Sequence, residues 1–376
     1  MNIKRILTFA AVLSLSFQSF GQQTINASIT HDGGQRDYIV YLPASYDGTT
    51  AFPLLMCFHG YTSSNSVIMS YSNFNAIADT ADFIAVYPQG TVYGGSTHWN
   101  VGGWTTGSTV DDVGFVDALL DTLDQDYNIN SDRVYSTGMS NGGFMSFLLA
   151  CQLSDRIAAI ASITGSMTPQ TYNACNPQHP TPVLQIHGDA DGTVPYNGDT
   201  WTESIPDVLA YWSNYNNNAM PDTTSVPDIN SSDGSTVDHI QYGPGDNCTF
   251  VEHYKVYGGD HDWPGVWGNM DIHASRVAWN FLQRFDINGI AGCAAGIADE
   301  TPQPAFTVYP NPTTEKLTLD KYFNTTVSYR ILDVSGRLVG QGSVAGAKPV
   351  IDVSFLDADF YILDIEGHHI NFVVSQ

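Results

Sequence analysis

Basic residues are scarce in this sequence. Its 376 residues hold 13 Lys plus Arg against 38 Asp plus Glu, a formal charge of −25. A nucleic-acid binder needs the opposite sign to neutralise phosphates, so DNA and RNA are excluded as partners, and anionic membrane surfaces with them. The acidity reads as solubility outside the cell. Long apolar runs are missing as well: beyond the N-terminal segment, none is long enough for a membrane span. Cysteine is sparse, at five residues, with no CxxC pair and no Cys/His cluster, which removes the usual zinc frameworks. The Asn and Asp residues of 213–249 lack the spacing of a calcium loop. No metal and no organic cofactor is implied, and no internal repeat is evident.

What is present makes a real core: 43% of residues are apolar and 12% aromatic. At the N-terminus, Lys4 and Arg5 precede the apolar run Ile6 to Phe17, and Ser19-Phe20-Gly21 offers small residues where a signal peptidase reads. This predicts a cleavable secretory signal over 1–21. Export permits disulfides. Cys57 lies in the apolar run Leu54 to Phe58 and is expected as a buried free thiol. The other four allow three connectivities, of which Cys151 with Cys175 and Cys248 with Cys293 is the one expected.

Residues 25–43 alternate around Asp32-Gly33-Gly34, a hairpin signal. Apolar strands then alternate with helical stretches: Pro53 to Phe58, Phe83 to Tyr87, Arg133 to Thr137, Ile157 to Ile163 and Val183 to Ile186 as strands. Asp112 to Leu123 and Phe144 to Leu149 read as helices. That order predicts a mainly parallel sheet covered on both faces. Residues 213–249 read as a long surface excursion, partly a strand pair of Val237 to Tyr242 with Phe250 to Val256. Ala294 to Pro304 is small and polar, and from Phe306 short alternating strands with turn signals at Val334-Ser335-Gly336-Arg337, Ala345-Gly346 and Glu366-Gly367 predict a small all-β sandwich. The expected division is a signal peptide 1–21, an α/β domain 22–292, a linker 293–305 and a β-sandwich 306–376.

Gly138-Met139-Ser140-Asn141-Gly142 fits G-x-S-x-G between a predicted strand and a predicted helix. There a sharp turn lifts the serine hydroxyl above the sheet, and flanking glycines avoid a clash. The alternative is an ordinary serine in a glycine-rich turn. A serine needs a base and an acid to become a nucleophile, and both follow in order. The strand ending at Ile186 runs into His187-Gly188-Asp189-Ala190-Asp191, and His261 lies in Gly258-Gly259-Asp260-His261-Asp262-Trp263. His59-Gly60-Tyr61 follows the strand ending at Phe58, so the N–H groups of Tyr61 and Asn141 are the expected oxyanion donors.

These segments resemble secreted α/β-hydrolase esterases of the feruloyl esterase and polyhydroxybutyrate depolymerase group. The match covers about residues 25–290, through RDYIVYLPASYD, CFHGYTSS, VDDVGFVDALLDTL, DRVYSTGMSNGGF, LACQLSDRIAAIA, IHGDADGTVPY and GGDHDWPG. The resemblance implies Ser140 as nucleophile, Asp191 rather than Asp189 as acid, and His261 as base. Asp189 and Asp260 stand where relatives often carry an uncharged residue. His59 and His187 are expected to orient loops, and Asp112 to serve as a helix N-cap. Trp104, Tyr196 and Trp263 are candidate substrate contacts, with Trp99 and Tyr61 as further candidates for an aromatic pocket.

The tail resembles the sorting domain of the type IX secretion system, through VYPNPTTEKLTL, YRILDVSGRLV and IDVSFLDADFYILDI over about residues 306–376. This implies the type IX machinery as a partner, then release or attachment at the cell surface. A polymer-binding module is the rival; its exposed aromatic row is not apparent here. The expected function is a secreted serine esterase on feruloyl or acetyl esters of plant cell-wall polysaccharide. The alternatives are a polyhydroxybutyrate depolymerase, a peptidase with the same residues, and a surface binding protein on a decayed hydrolase fold.

Overall fold

The computed structural model describes residues 21–290, 293, 307–333, 336–365 and 368–375. The expected signal peptide apart from Gly21, nearly all of the expected linker and the turn signals at 334–335 and 366–367 lie outside the described residues. The chain divides into two compact units near residue 295.

In the first unit β1 (Gln23–His31) and β2 (Gly34–Leu42) form the expected hairpin. Asp32 and Gly33 both take positive φ, 49° and 75°, the mirror-image turn whose twist matches paired strands. There follow β3 (Phe52–Phe58), α1 (Asn65–Ser72), α2 (Phe74–Ala81), β4 (Ile84–Pro88), and the small hairpin β5 (Thr91–Tyr93) and β6 (Ser96–His98). Next come α3 (Asp112–Asp126), β7 (Ile129–Met139), α4 (Asn141–Gln152), β8 (Ala159–Ile163), α5 (Pro169–Ala174) and β9 (Val183–Gly188). The unit ends with α6 (Ile205–Tyr215), β10 (Asp222–Val226), β11 (Thr236–Tyr242), β12 (Val251–Tyr257) and α7 (Ala274–Leu282).

Ten strands form one sheet in the order β1-β2-β4-β3-β7-β8-β9-β12-β11-β10. The six from β4 to β12 run parallel, and the outer pairs at both ends run antiparallel. Each face carries its own core. Along β3, Leu54, Met56 and Phe58 join Phe115, Leu119, Phe144 and Phe147 on one side. Leu55 and Cys57 join Phe74, Ile186, Trp279 and Phe285 on the other. Burial on both faces is why the central strands read as unbroken apolar runs. This is the α/β-hydrolase fold.

Residues 213–249 depart from the expectation of a surface excursion. Val237 pairs with Val256 as expected, but β12 also joins β9 in parallel, so the segment extends the central sheet. The strand β10, DTTSV, is an exposed polar edge and carries no apolar pattern to announce it.

Asp112 is a correction. The helix cap is Asp111, whose carboxylate accepts the Gly114 N–H at 2.8 Å. Asp112 is buried instead. It pairs with the buried Arg36 at 2.5 Å and accepts the Asn100 N–H at 2.7 Å. The guanidinium also lies 3.8 Å over the Phe115 ring.

Cys151 is bonded to Cys175 and Cys248 to Cys293, while Cys57 is a buried free thiol. The second unit holds two antiparallel sheets, one built from Val308–Tyr309, Lys316–Leu319 and Val350–Asp352. The other is built from Tyr322–Asp333, Leu338–Ala347, Asp359–Ile365 and His368–Val374. Leu317, Phe323, Ile331, Leu363 and Phe372 share its core. Ala345-Gly346, a turn signal in the sequence, lies inside a strand.

Removing one member of a buried ion pair leaves the other unpaired in low dielectric. Asp112→Ala should therefore lower stability by about 3–5 kcal/mol in denaturant unfolding, whereas a simple cap loss would cost about 1 kcal/mol.

Candidate active site

Ser140 stands between β7 and α4 with φ 53° and ψ −120°, a conformation that L residues rarely adopt. Such strain persists only where surrounding structure over-determines it. Here the glycines do so. A Cβ on Gly138 would come 2.5 Å from the Phe58 carbonyl oxygen, and one on Gly142 would come 2.0 Å from the same atom. The turn is thus pressed against the end of β3, and only glycine fits on either side of the serine. The Ser140 N–H is donated to Ile163 O at 2.9 Å, which ties the turn to β8 as well.

The loop after β3 runs alongside this turn. A Cβ on Gly60 would lie 3.6 Å from the Ser140 Cβ, an ordinary contact distance. The left-handed residue of that loop is Thr62, at φ 66°, and not Gly60. Among the described residues no backbone acceptor takes the Tyr61 N–H. Asn141 is the first residue of α4, so its N–H has no intrahelical acceptor. Its buried side chain grips the backbone of Trp99, accepting the Trp99 N–H at 2.7 Å and donating to Trp99 O at 3.1 Å. The Trp99 indole in turn donates to His59 O at 2.9 Å. Trp99 is fully buried, so it joins the two candidate donor segments rather than lining a pocket.

His59 has the orienting role expected of it. Gly90 N–H donates to its Nε2 at 2.9 Å, which makes Nδ1 the protonated atom, donating to Gly60 O at 2.8 Å. Burial lowers its pKa to about 4, so the ring is neutral at neutral pH.

Asp191 and His261 extend from the ends of adjacent parallel strands, β9 and β12. Side chains at such C-terminal strand ends are where open α/β sheets hold ligands. His261 Nδ1–H donates to Asp191 Oδ2 at 2.8 Å, which leaves Nε2 as the unprotonated nitrogen. The other Asp191 oxygen accepts the N–H groups of Thr193 and Val194, each at 2.8 Å. Burial raises the Asp191 pKa, but the His261 hydrogen bond and charge and the Val194 N–H outweigh it, so the net shift is downward. The carboxylate is anionic at neutral pH. His187, fully buried, places Nε2 at 3.4 Å from the same Oδ2 and donates to Val194 O at 2.9 Å.

The two unusual carboxylates act as reciprocal staples between the acid loop and the base loop. Asp189 accepts the Gly258 N–H at 2.8 Å, and Asp260 accepts the Gly192 N–H at 3.2 Å and the His261 N–H at 2.8 Å. The loops touch closely: a Cβ on Gly188 would meet Gly259 O at 2.1 Å.

The three substrate-contact candidates separate. Trp263 is a correction. It is fully buried, donates its indole N–H to Ser275 Oγ at 3.1 Å and packs on Tyr71 and Phe74, so it supports the base loop from the core. Tyr196 commits its hydroxyl inward, to His253 Nε2 at 3.1 Å. Trp104 is half-buried and packs on Phe144 of α4. Trp201, half-buried beside it at 5.0 Å, was not singled out by sequence; a lone tryptophan after the acid loop carries no spacing signal. Among the described residues there is no group of three or more His, Cys, Asp or Glu placed to hold a metal.

Residues 108–226 match the family described as Phospholipase/Carboxylesterase, and residues 307–374 match the family described as Secretion system C-terminal sorting domain. The chain is 27% identical over 286 residues to a bifunctional acetylxylan esterase/xylanase of Neocallimastix patriciarum, covering 74% of this chain and 38% of that one. It is 27% identical over 263 residues to feruloyl esterase B of Piromyces equi, covering 67% of this chain and 46% of that one. The chain thus spans less than half the length of these relatives. An acetyl xylan esterase from Aspergillus awamori shares the fold of the first unit, with a TM-score of 0.51 at 14% identity, over 69% of this chain and 99% of that one.

The buried histidines set a pH dependence. Burial lowers His253 to about 3 and His59 to about 4, against 6.5 for a free imidazole. Below that free value the unfolded chain takes up protons that the folded chain refuses, so stability falls as pH falls. Tm should drop progressively from about pH 6.5 to about pH 4, and His253→Gln should flatten that slope in a thermal melt series.

Proposed function

We propose that the first unit is a serine carboxylic ester hydrolase, and that its substrates are feruloyl or acetyl esters on plant cell-wall polysaccharide. The observation that carries the reading is the strained Ser140 turn on the same sheet edge as the His261–Asp191 hydrogen bond. The names of the relatives, acetylxylan esterase and feruloyl esterase, support the ester class.

In this reading His261 Nε2 takes the proton of the Ser140 hydroxyl as its oxygen attacks the ester carbonyl carbon. The carbonyl π pair moves onto oxygen, which accepts hydrogen bonds from the N–H groups of Tyr61 and Asn141. Asp191 holds the imidazole in the tautomer with Nδ1–H and stabilises the imidazolium that forms. The tetrahedral centre collapses, the C–O bond to the alcohol breaks, and His261 returns its proton to the departing alkoxide. Water then repeats the sequence on the acyl-enzyme. His261 takes a water proton, the hydroxide adds to the acyl carbon, and the Ser140 oxygen leaves with that proton as the free acid is released. No step calls for a metal or an organic cofactor.

The sorting-domain match over 307–374 supports export through a type IX system to the cell surface or beyond. In this reading 1–21 is the signal, 22–292 the catalytic part, 293–305 the linker and 306–376 the sorting part. Cys293, where the linker begins, is tied to the first unit by its disulfide with Cys248.

Ester hydrolysis by the chain should fall at least about a thousandfold in Ser140→Ala and in Asp191→Asn, with the thermal melt of Ser140→Ala unchanged or raised. Methyl ferulate, acetylated xylan and a short p-nitrophenyl ester form the panel. A well-folded chain that cleaves none of them, or a Ser140→Ala variant that keeps full rate, would sink the reading.

A further inference from the structure

The seven tryptophans fall into two groups. Trp99, Trp212, Trp263 and Trp279 are buried, while Trp104, Trp201 and Trp267 keep part of their surface exposed. Two of the exposed group meet over the first turn of α4, the helix that Ser140 precedes.

Asn141 and Phe144 are three apart on α4 and so share a face. The segment 99–104 lies along that face. It starts where the Asn141 side chain grips the Trp99 backbone, and it ends where the Trp104 ring meets the Phe144 ring edge-on, with centroids 5.0 Å apart. Trp104 also meets Trp201 edge-on at 5.0 Å, and Trp201 lies 6.1 Å from Phe144. Two loops from distant parts of the chain therefore bring two indoles against Phe144, the residue one helical turn after the candidate nucleophile.

The backbone is built for this placement. Gly102 and Gly103 take φ of 80° and 54°. A Cβ on Gly103 would stand 3.0 Å from Trp201 O and from Thr168 Cγ2. The Gly103 N–H is donated to Gln170 Oε1 at 3.0 Å. On the other side, Trp201 lies in a tight turn closed by the Asp199–Thr202 bridge, and the Glu203 N–H is held by Met167 O at 2.8 Å. Two left-handed glycines in succession are a costly way to make a loop. They let it press against the Trp201 loop with no side chain between. If the pair were only loop packing, full burial would gain more from two indoles than the half-burial found.

We propose that Trp104 and Trp201 form the wall that recognises the acyl group, with Trp201 as its specificity-determining residue, and that the acyl group is a planar aromatic acid rather than acetyl. The inference rests on the esterase reading above and narrows it. An edge-on indole pair offers a flat π-face and a perpendicular edge, the two geometries in which another aromatic ring packs best. An acetyl group has nothing to fill that surface.

The test uses p-nitrophenyl ferulate and p-nitrophenyl acetate, which share a leaving group and differ only in the acyl part. The full chain is compared with Trp201→Ala, Trp201→Phe and Ser140→Ala, each with a thermal melt. Trp201→Ala should raise KM for the ferulate and lower its kcat/KM about tenfold, while the acetate changes by less than about twofold. Trp201→Phe should recover most of the ferulate activity, and if the alanine variant does not fold, Trp201→Leu, which fills the space without a π-face, takes its place with the same expected split. An equal fall on both esters means loop packing and overturns the proposal, as does a wild-type preference for acetate. No effect of Trp201→Ala, or of Trp201→Leu in its place, beside a dead Ser140→Ala overturns it too, but leaves the esterase reading standing. A wild-type chain that cleaves neither ester removes both.

Discussion

The contact between the Ser140 turn and the end of β3 is the constraint on which the site depends. Ser140 holds a backbone conformation that costs of order 1–3 kcal/mol, and the chain on both sides of it packs within van der Waals contact of Phe58 O. That close approach fixes three things at once. It lifts the serine above the sheet edge. It starts α4 at Asn141, so that a free N–H lies next to the serine. It also sets the loop after Phe58 beside both, since His59-Gly60-Tyr61 continues from the residue that the glycines touch.

From this point the polar groups are arranged outward in satisfied pairs. Asn141 fixes Trp99, Trp99 fixes His59 O, and His59 fixes Gly60 and Gly90. On the other side Asp191 is held by two backbone N–H groups and by two imidazoles. Buried polar groups of this density are tolerable only when each has a partner, and a satisfied network is rigid. His59 and His187 stay neutral because burial opposes charge, while Asp191 keeps its charge because donors surround it. The same low dielectric gives opposite protonation outcomes according to what each group is bonded to.

Asp189 and Asp260 show how local departures are absorbed. As extra acidic residues beside a candidate base they could have disturbed its charge. The folded chain turns both toward backbone N–H groups of the opposite loop. The acid and base loops belong to strands joined in parallel, so their backbones already lie side by side, and a short carboxylate is the right length to bridge them.

Much of this was legible in the residues. The alternation of apolar strands with helical stretches gave a doubly covered parallel sheet, since period and burial are local properties of a segment. G-x-S-x-G, HGDAD and GGDHDW each follow a strand, and the order of strands fixes which edge they share. Cys57 in an apolar run read correctly as a buried thiol, and the disulfide pairing chosen from three is the one found. Other features were hidden because they depend on partners far away in the chain. β10 is a strand only because β11 offers its edge, and nothing in DTTSV says so. Asp112 looks like a cap until Arg36, 76 residues earlier, is placed beside it. Trp263 and Trp104 both lie in glycine-containing loops, yet one is buried against Tyr71 and the other keeps part of its surface open beside Trp201. Chain order and local pattern therefore determined the fold class and the candidate serine and histidine, while the choice of Asp191 over Asp189 came from the family resemblance. Which carboxylates are buried and paired, and which indoles face solvent rather than core, only the tertiary structure decided, because burial is a property of what packs against a residue and not of the residue.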